Sequence, residues 1–189
     1  MSSWGDIMLK MKNILDEKDK KLRKISKEVE FPLTDEDKKH IEDMLEYLRN
    51  SQIEELSEKY DLRPGMGLSA IQLGIEKRYF VVVYEYDEGK FEEYVLINPE
   101  IVSTSMEKIY VEMGEGCLSV NREVDGIVPR YARVTLEAYD MDGNKIRVRG
   151  REELAIVFQH ELDHLNGIMF YDHIDPKNPY KDQDKYRAI

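Results

Sequence analysis

His160 and His164 stand four residues apart in the run Gln159-His160-Glu161-Leu162-Asp163-His164, inside a stretch whose apolar residues recur at helical spacing. On an α-helix, four residues advance the chain by about 6 Å and about 400° of rotation, so both imidazoles leave one face and can share a metal ion. Glu161 sits one step round, placed to reach a water held at such an ion without being a ligand. The blander account is two histidines that happen to share a face, and a third donor elsewhere decides against it. No third histidine follows at the spacing of the extended His-Glu-x-x-His-x-x-Gly-x-x-His motif, and His173 does not fit it. Cys117, the only cysteine, lies in Gly114-Glu115-Gly116-Cys117-Leu118-Ser119, a glycine-flanked turn where backbone can come close to a ligand. Most lone cysteines are small buried hydrophobes. Beside two imidazoles, however, a thiolate suits iron or zinc, and a fourth position left to water makes such a site catalytic rather than structural.

A second segment, Gly65-Met66-Gly67-Leu68-Ser69-Ala70-Ile71-Gln72, matches a loose dinucleotide-binding pattern. That pattern needs a strand before it and a helix after it. Here a charged helical stretch and Pro64 precede it, and a strand follows closely, so nucleotide binding is set aside. The segment is a glycine-rich turn. Gly67 can bring backbone amides near a substrate, and Gln72 offers a neutral amide donor.

Other elements must hold these residues in place. Thr34 is a helix N-cap, with Asp35, Glu36 and Asp37 in the positive first turn. Ile41, Met44, Leu45 and Leu48, then Ile53 and Leu56, predict an amphipathic helix to about Tyr60, broken near Asn50-Ser51. Before it, the first 33 residues are expected to wrap the surface. Strands are predicted over Arg78–Tyr86, over Tyr94–Asn98 ending at Pro99, and over Ile101–Met113. A hairpin pairs Tyr131–Tyr139 with Lys145–Arg149 across Asp140-Met141-Asp142-Gly143-Asn144. Glu152–Leu165 reads as a largely buried helix, and the charged tail after Tyr171 as loop or a frayed end. One helix, several strands and a late helix indicate an α+β fold rather than repeated βαβ units.

Composition bounds the rest. The 189 residues carry 28 Lys+Arg against 39 Asp+Glu, a formal net charge of −11 that argues against general attraction to nucleic acid or anionic membranes, though not against a local basic patch. With 41% hydrophobic residues the chain can bury a core, as one domain over 1–189 with 1–21 and 175–189 peripheral. A single cysteine excludes an internal disulfide and fits a reducing compartment. No apolar run reaches the ~18 residues of a membrane span. Met1–Asp6 lacks the basic, then apolar, start of a secretory signal.

Taken together, and in this order, Gly65–Gln72, Glu115-Gly116-Cys117-Leu118-Ser119 and His160-Glu161-Leu162-Asp163-His164 resemble the peptide deformylase family in its longer, Gram-positive-like form, over about Leu22 to Tyr171. The resemblance implies antiparallel β-sheets around a central metal-binding helix, with an N-terminal helical region. It implies Cys117, His160 and His164 as ligands of one Fe²⁺ per chain, for which Zn²⁺, Ni²⁺ or Co²⁺ can substitute, and Glu161 as general base and acid. Gln72 and the backbone N–H of Leu118 would form an oxyanion hole. Gly67, Met66, Met113, Glu115, Ile156 and Val157 would line the substrate site, and Arg130 would pair with Glu115. The implied reaction removes the formyl group from N-terminal formylmethionine and releases formate. The implied partners are nascent formylmethionyl peptides and the ribosome, in the cytoplasm, with no sequence-specific nucleic acid, no membrane and a monomeric enzyme. Ser69 departs from the family's usual alanine, and Met66 fills its variable place; neither removes a functional group. A zinc protease shares the helix motif but not the Cys117 loop. A non-catalytic metal module would need a fourth protein ligand.

Overall fold

A computed structural model describes residues 8–189; Met1–Asp6, where a secretory signal was sought, lies outside them. Helix α1, Asp35–Ser51, starts as expected, with the Thr34 hydroxyl accepting from the Asp37 N–H at 3.0 Å. Its Ile41, Met44, Tyr47 and Leu48 are fully buried. Gln52 caps it, and α2, Glu54–Tyr60, follows after the break.

The strands in chain order are β1 (Gly67–Ser69), β2 (Tyr79–Asp87), β3 (Lys90–Thr104), β4 (Lys108–Tyr110), β5 (Arg130–Tyr131), β6 (Arg133–Tyr139), β7 (Lys145–Arg151) and β8 (Arg187–Ala188). A five-stranded antiparallel sheet runs β1-β2-β3-β6-β7, and a smaller sheet runs β5-β4-β8. Helix α3, Glu153–Leu165, lays Leu154, Ala155, Phe158 and Leu165 against Phe80, Leu96, Val134 and Leu136 of the large sheet. Each such side chain, fully buried, is worth about 1.5–3 kcal/mol. Alternation along β6 and β7 turns Val134, Leu136, Ala138, Ile146 and Val148 toward that helix and the odd-numbered residues away from it. The architecture is α+β.

Three expectations are corrected. The strand predicted over Ile101–Met113 divides. Lys108–Tyr110 forms β4 in the smaller sheet, while its start continues Tyr94–Asn98 through Pro99 as β3, whose pairing with β6 shifts register between Ile97 and Glu100. Pro99 sits in that irregularity, where no ladder N–H is required. The N-terminal stretch contributes Leu9, Ile14, Leu22 and Val29 to the core and leaves Ile25 70% exposed. The tail is loop over residues 174–182, but its end is not frayed: β8 pairs parallel with β4, and Arg187 bonds Glu107 and Glu152.

Candidate metal centre and active site

Helix α3 and the turn at Cys117 converge. One donor atom each from Cys117, His160 and His164 lie within 4.8 Å of one another, and Cys117 Sγ is 3.3 Å from His164 Nε2. Two donors on one tetrahedral ion, with bonds of about 2.3 Å from sulfur and about 2.0 Å from nitrogen, are separated by about 3.3–3.6 Å. The Cys117–His164 spacing and the chemistry of the donor set fit a divalent transition metal. Two buried polar atoms beside it lack hydrogen-bond partners, Glu161 Oε2 and His164 Nδ1.

A chain of charges orients His160. Arg130, only 4% exposed, donates through Nε and Nη2 to both oxygens of Glu115, at 2.8 and 2.9 Å, and through Nη1 to Asp163 at 2.7 Å. Glu115 Oε1 lies 2.9 Å from His160 Nδ1, which leaves Nε2 of that ring for a metal, the arrangement that fixes a ligating imidazole's tautomer and plane. Phe170 stacks on the same ring, with centroids 6.0 Å apart. Burial opposes ionisation of Glu115, but His160 and Arg130 outweigh it and hold its pKa at about 2. Burial pushes His164 well below the ordinary imidazole range, with the charge of His160 adding to it, and so keeps it neutral. For His160, burial is overcome by the bonds from Cys117 and Glu115, and its pKa is raised. Glu161 has no such counter-charge in contact, and burial raises it to about 7.

Glycine makes the approach of β1 to α3 possible. A Cβ at Gly67 would stand 2.7 Å from Glu161 Cγ and 3.0 Å from Val157 Cγ1. Ser69, the residue that departs from the family pattern, donates its hydroxyl to the Glu161 backbone carbonyl at 2.9 Å, tying β1 to helix α3. Gln72 is buried; its Oε1 accepts from the Ser69 N–H, and its Nε2 points to Ser119 Oγ at 3.1 Å and to Cys117 Sγ at 3.7 Å. Gln159 locks the other side of α3, its amide exchanging bonds with the N–H and C=O of Tyr131.

A cavity of about 540 Å³ opens at this centre, and Met66, Gly67, Cys117, Leu118, Ile156, Val157, His160 and Glu161 are among its walls. Met113 is not one of them; it is 95% exposed, because the turn at Gly114 sends it outward. Glu115 reaches the wall, but its carboxylate is committed to Arg130 and His160 rather than free for a substrate. Sequence inspection overlooked Asp163, although a carboxylate one turn after His160 on the same helix is a readable signal. It also overlooked Arg63, which donates to the Cys117 carbonyl and to Asn121, and which nothing local in the sequence marks.

Residues 11–180 match the polypeptide deformylase family model. The chain is 50% identical to peptide deformylase 2 of Bacillus subtilis over 182 residues, 96% of this chain and 99% of that one. It is 52% identical to the peptide deformylase of Macrococcus caseolyticus over 184 residues, covering 96% and 100%. Among solved structures, the Legionella pneumophila peptide deformylase superposes with a TM-score of 0.70 at 33% identity over 91% of this chain and 90% of that one. The Thermotoga maritima enzyme does so at 0.67 and 35%, over 86% and 97%. The chain belongs to the polypeptide deformylase family, metal-dependent hydrolases that remove the formyl group from the N-terminal methionine of nascent peptides.

Proposed function

We propose that Cys117, His160 and His164 hold one divalent ion, Fe²⁺ in the cell with Zn²⁺, Ni²⁺ or Co²⁺ able to replace it, and that Glu161 moves the protons of formamide hydrolysis. The observation that supports this most directly is Glu161 itself. It is a buried carboxylate with one unpartnered oxygen, beside three converging donors, on the wall of an open cavity. When bound, the ion supplies a Lewis acid for the carbonyl and lowers the pKa of water. Glu161 accepts the proton of the attacking water and returns it to the α-amine nitrogen as the C–N bond breaks. Negative charge builds on the formyl oxygen, where Gln72 Nε2 and the Leu118 N–H donate; one such donor is worth about 3–4 kcal/mol. Met66, Ile156 and Val157 give the methionine side chain an apolar wall, and Gly67 presents backbone to the substrate. Formate and a free N-terminal amine leave.

The chain works as one catalytic unit and as a monomer in the cytoplasm, on nascent chains beside the ribosome. Supporting this, one chain builds the whole cavity, and no helix among the described residues is long and apolar enough to cross a membrane. The test is formate release from formyl-Met-Ala against acetyl-Met-Ala, with metal content measured on the same sample. A formyl carbon carries only hydrogen, whereas an acetyl methyl meets the Gly67 and Cys117 loops, so the formyl peptide should react far faster. Equal kcat/KM for the two, or cleavage of internal bonds in a formyl-free peptide, would count against the assignment. Iron-loaded enzyme should lose activity in air with oxygen added at Cys117, while the nickel form persists; an iron form indifferent to air argues for another native ion.

A further inference from the structure

The sequence contains eleven arginines. Eight of them, Arg23, Arg49, Arg63, Arg78, Arg122, Arg130, Arg147 and Arg187, donate side-chain hydrogen bonds to carboxylates, an amide or backbone carbonyls. The other three, Arg133, Arg149 and Arg151, have no such partner among the described residues, and they line one surface groove with Ser103, Thr104 and Thr135. Arg133 and Arg151 are direct cross-strand partners on β6 and β7, and Arg149 stands opposite Thr135. Like charges placed opposite each other on a sheet destabilise it. In a chain with eleven more acids than bases, three arginines gathered in one groove without a hydrogen-bonded acid is an uncommon arrangement; Arg133 and Arg151 meet Glu152 only through space.

Guarding a sheet edge with charge is the ordinary reason for basic residues on a strand such as β7. It does not explain Arg133, which lies on the inner strand β6, paired on both sides by β3 and β7. The same face carries Lys145 and Arg147, both held by Glu137, so the arginines without a hydrogen-bonded acid are confined to the end of the hairpin nearest α3's start. Glu152 hydrogen-bonds Arg187 and feels Arg133 and Arg151 only through space.

We propose that this groove docks the phosphodiester backbone of RNA. Alternate residues of a strand project about 6.6–6.8 Å apart, close to the separation of successive phosphates along a nucleic-acid strand, and arginine's planar fork matches phosphate oxygens. The groove's hydroxyls add neutral donors and acceptors for phosphate and ribose, contacts that hold RNA without reading its sequence. RNA is the polyanion at hand because the family's substrates are nascent peptides, and in this respect the inference rests on the deformylase assignment. The groove faces away from the α3 side of the sheet, so a bound RNA leaves the catalytic cavity open.

The test is fluorescence anisotropy of a labelled RNA hairpin titrated with metal-loaded enzyme over a salt series, alongside formate release from free formyl-Met-Ala. Replacing all three arginines by glutamine (Arg133→Gln, Arg149→Gln, Arg151→Gln) should weaken RNA binding at least ~10-fold at moderate salt. It should also flatten the slope of log affinity against log salt by about 2–3. Formate release should stay at the parent rate, which also reports folding. Lysine at the same three positions should retain most of the binding. Four results would overturn the proposal: no salt-dependent RNA binding by the parent, full binding by the glutamine variant, loss as large with lysine, or equal affinity for phosphatidylserine vesicles. Loss of turnover on formyl-Met-Ala by the parent would instead strike the deformylase assignment, which the RNA titration does not measure.

Discussion

Arg130 and Arg133 are three residues apart and live in opposite surroundings. Arg130 is buried, and its guanidinium is shared between Glu115 and Asp163. Arg133 is exposed on the sheet face and looks across at Arg151. One arginine spends its charge within the molecule, orienting His160 through Glu115; the other has no hydrogen-bonded acid. The contrast shows that residue type says little about role until the neighbouring acids are placed, and those acids come from distant parts of the chain.

Substitutions can break this comparison or sharpen it. The largest effect is expected inside. Arg130→Leu leaves Glu115 and Asp163 without their buried counter-charge, and loss of one partner of such a pair typically costs about 3–5 kcal/mol. Urea unfolding should show it, and metal affinity should fall because His160 loses its oriented partner. A variant as stable as the parent would mean that His173, 2.8 Å from Asp163, and His160 suffice to hold the acids. Next comes Glu161→Gln, which should keep both fold and metal while losing at least ~10²-fold in kcat. Loss of metal with turnover restored on reloading would make Glu161 a support for the ligands rather than the proton carrier. Gly67→Ala should follow, since a methyl group 2.7 Å from Glu161 Cγ forces a shift worth about 1–3 kcal/mol and moves the carboxylate. Its signature is a fall in kcat exceeding any change in KM. Arg133→Thr should do least: an unchanged or slightly raised urea midpoint as like-charge repulsion is relieved, with turnover intact. A marked drop in stability there would erase the distinction between the two arginines.

Legibility in the sequence followed range. The Thr34 cap, the period of α1 and the His160/His164 spacing are written within a few residues of each other, and all appear where expected. Cys117 required joining two segments, which the glycine-flanked turn made feasible. The continuity of β3 through Pro99 was hidden because it depends on the register of β6, almost forty residues further on. Met113 misled because proximity in sequence to a ligand loop says nothing about which way a turn sends a side chain. The unpaired arginines were invisible for a similar reason: Arg147, Arg149 and Arg151 alternate identically along one strand, and only the position of Glu137 separates the first from the others.

The close approach at Gly67 also bears on how the reaction's entropy is distributed. A glutamate side chain free to rotate must give up about 1.5–2 kcal/mol of rotamer entropy when it is fixed. Glu161 is confined by the bare Cα of Gly67 on one side, while the Ser69 hydroxyl holds its backbone carbonyl. In the proposed mechanism that loss is taken when the chain folds, and is not charged again at each turnover. A looser β1 would transfer it to the activation barrier, appearing as a more negative activation entropy with little change in activation enthalpy.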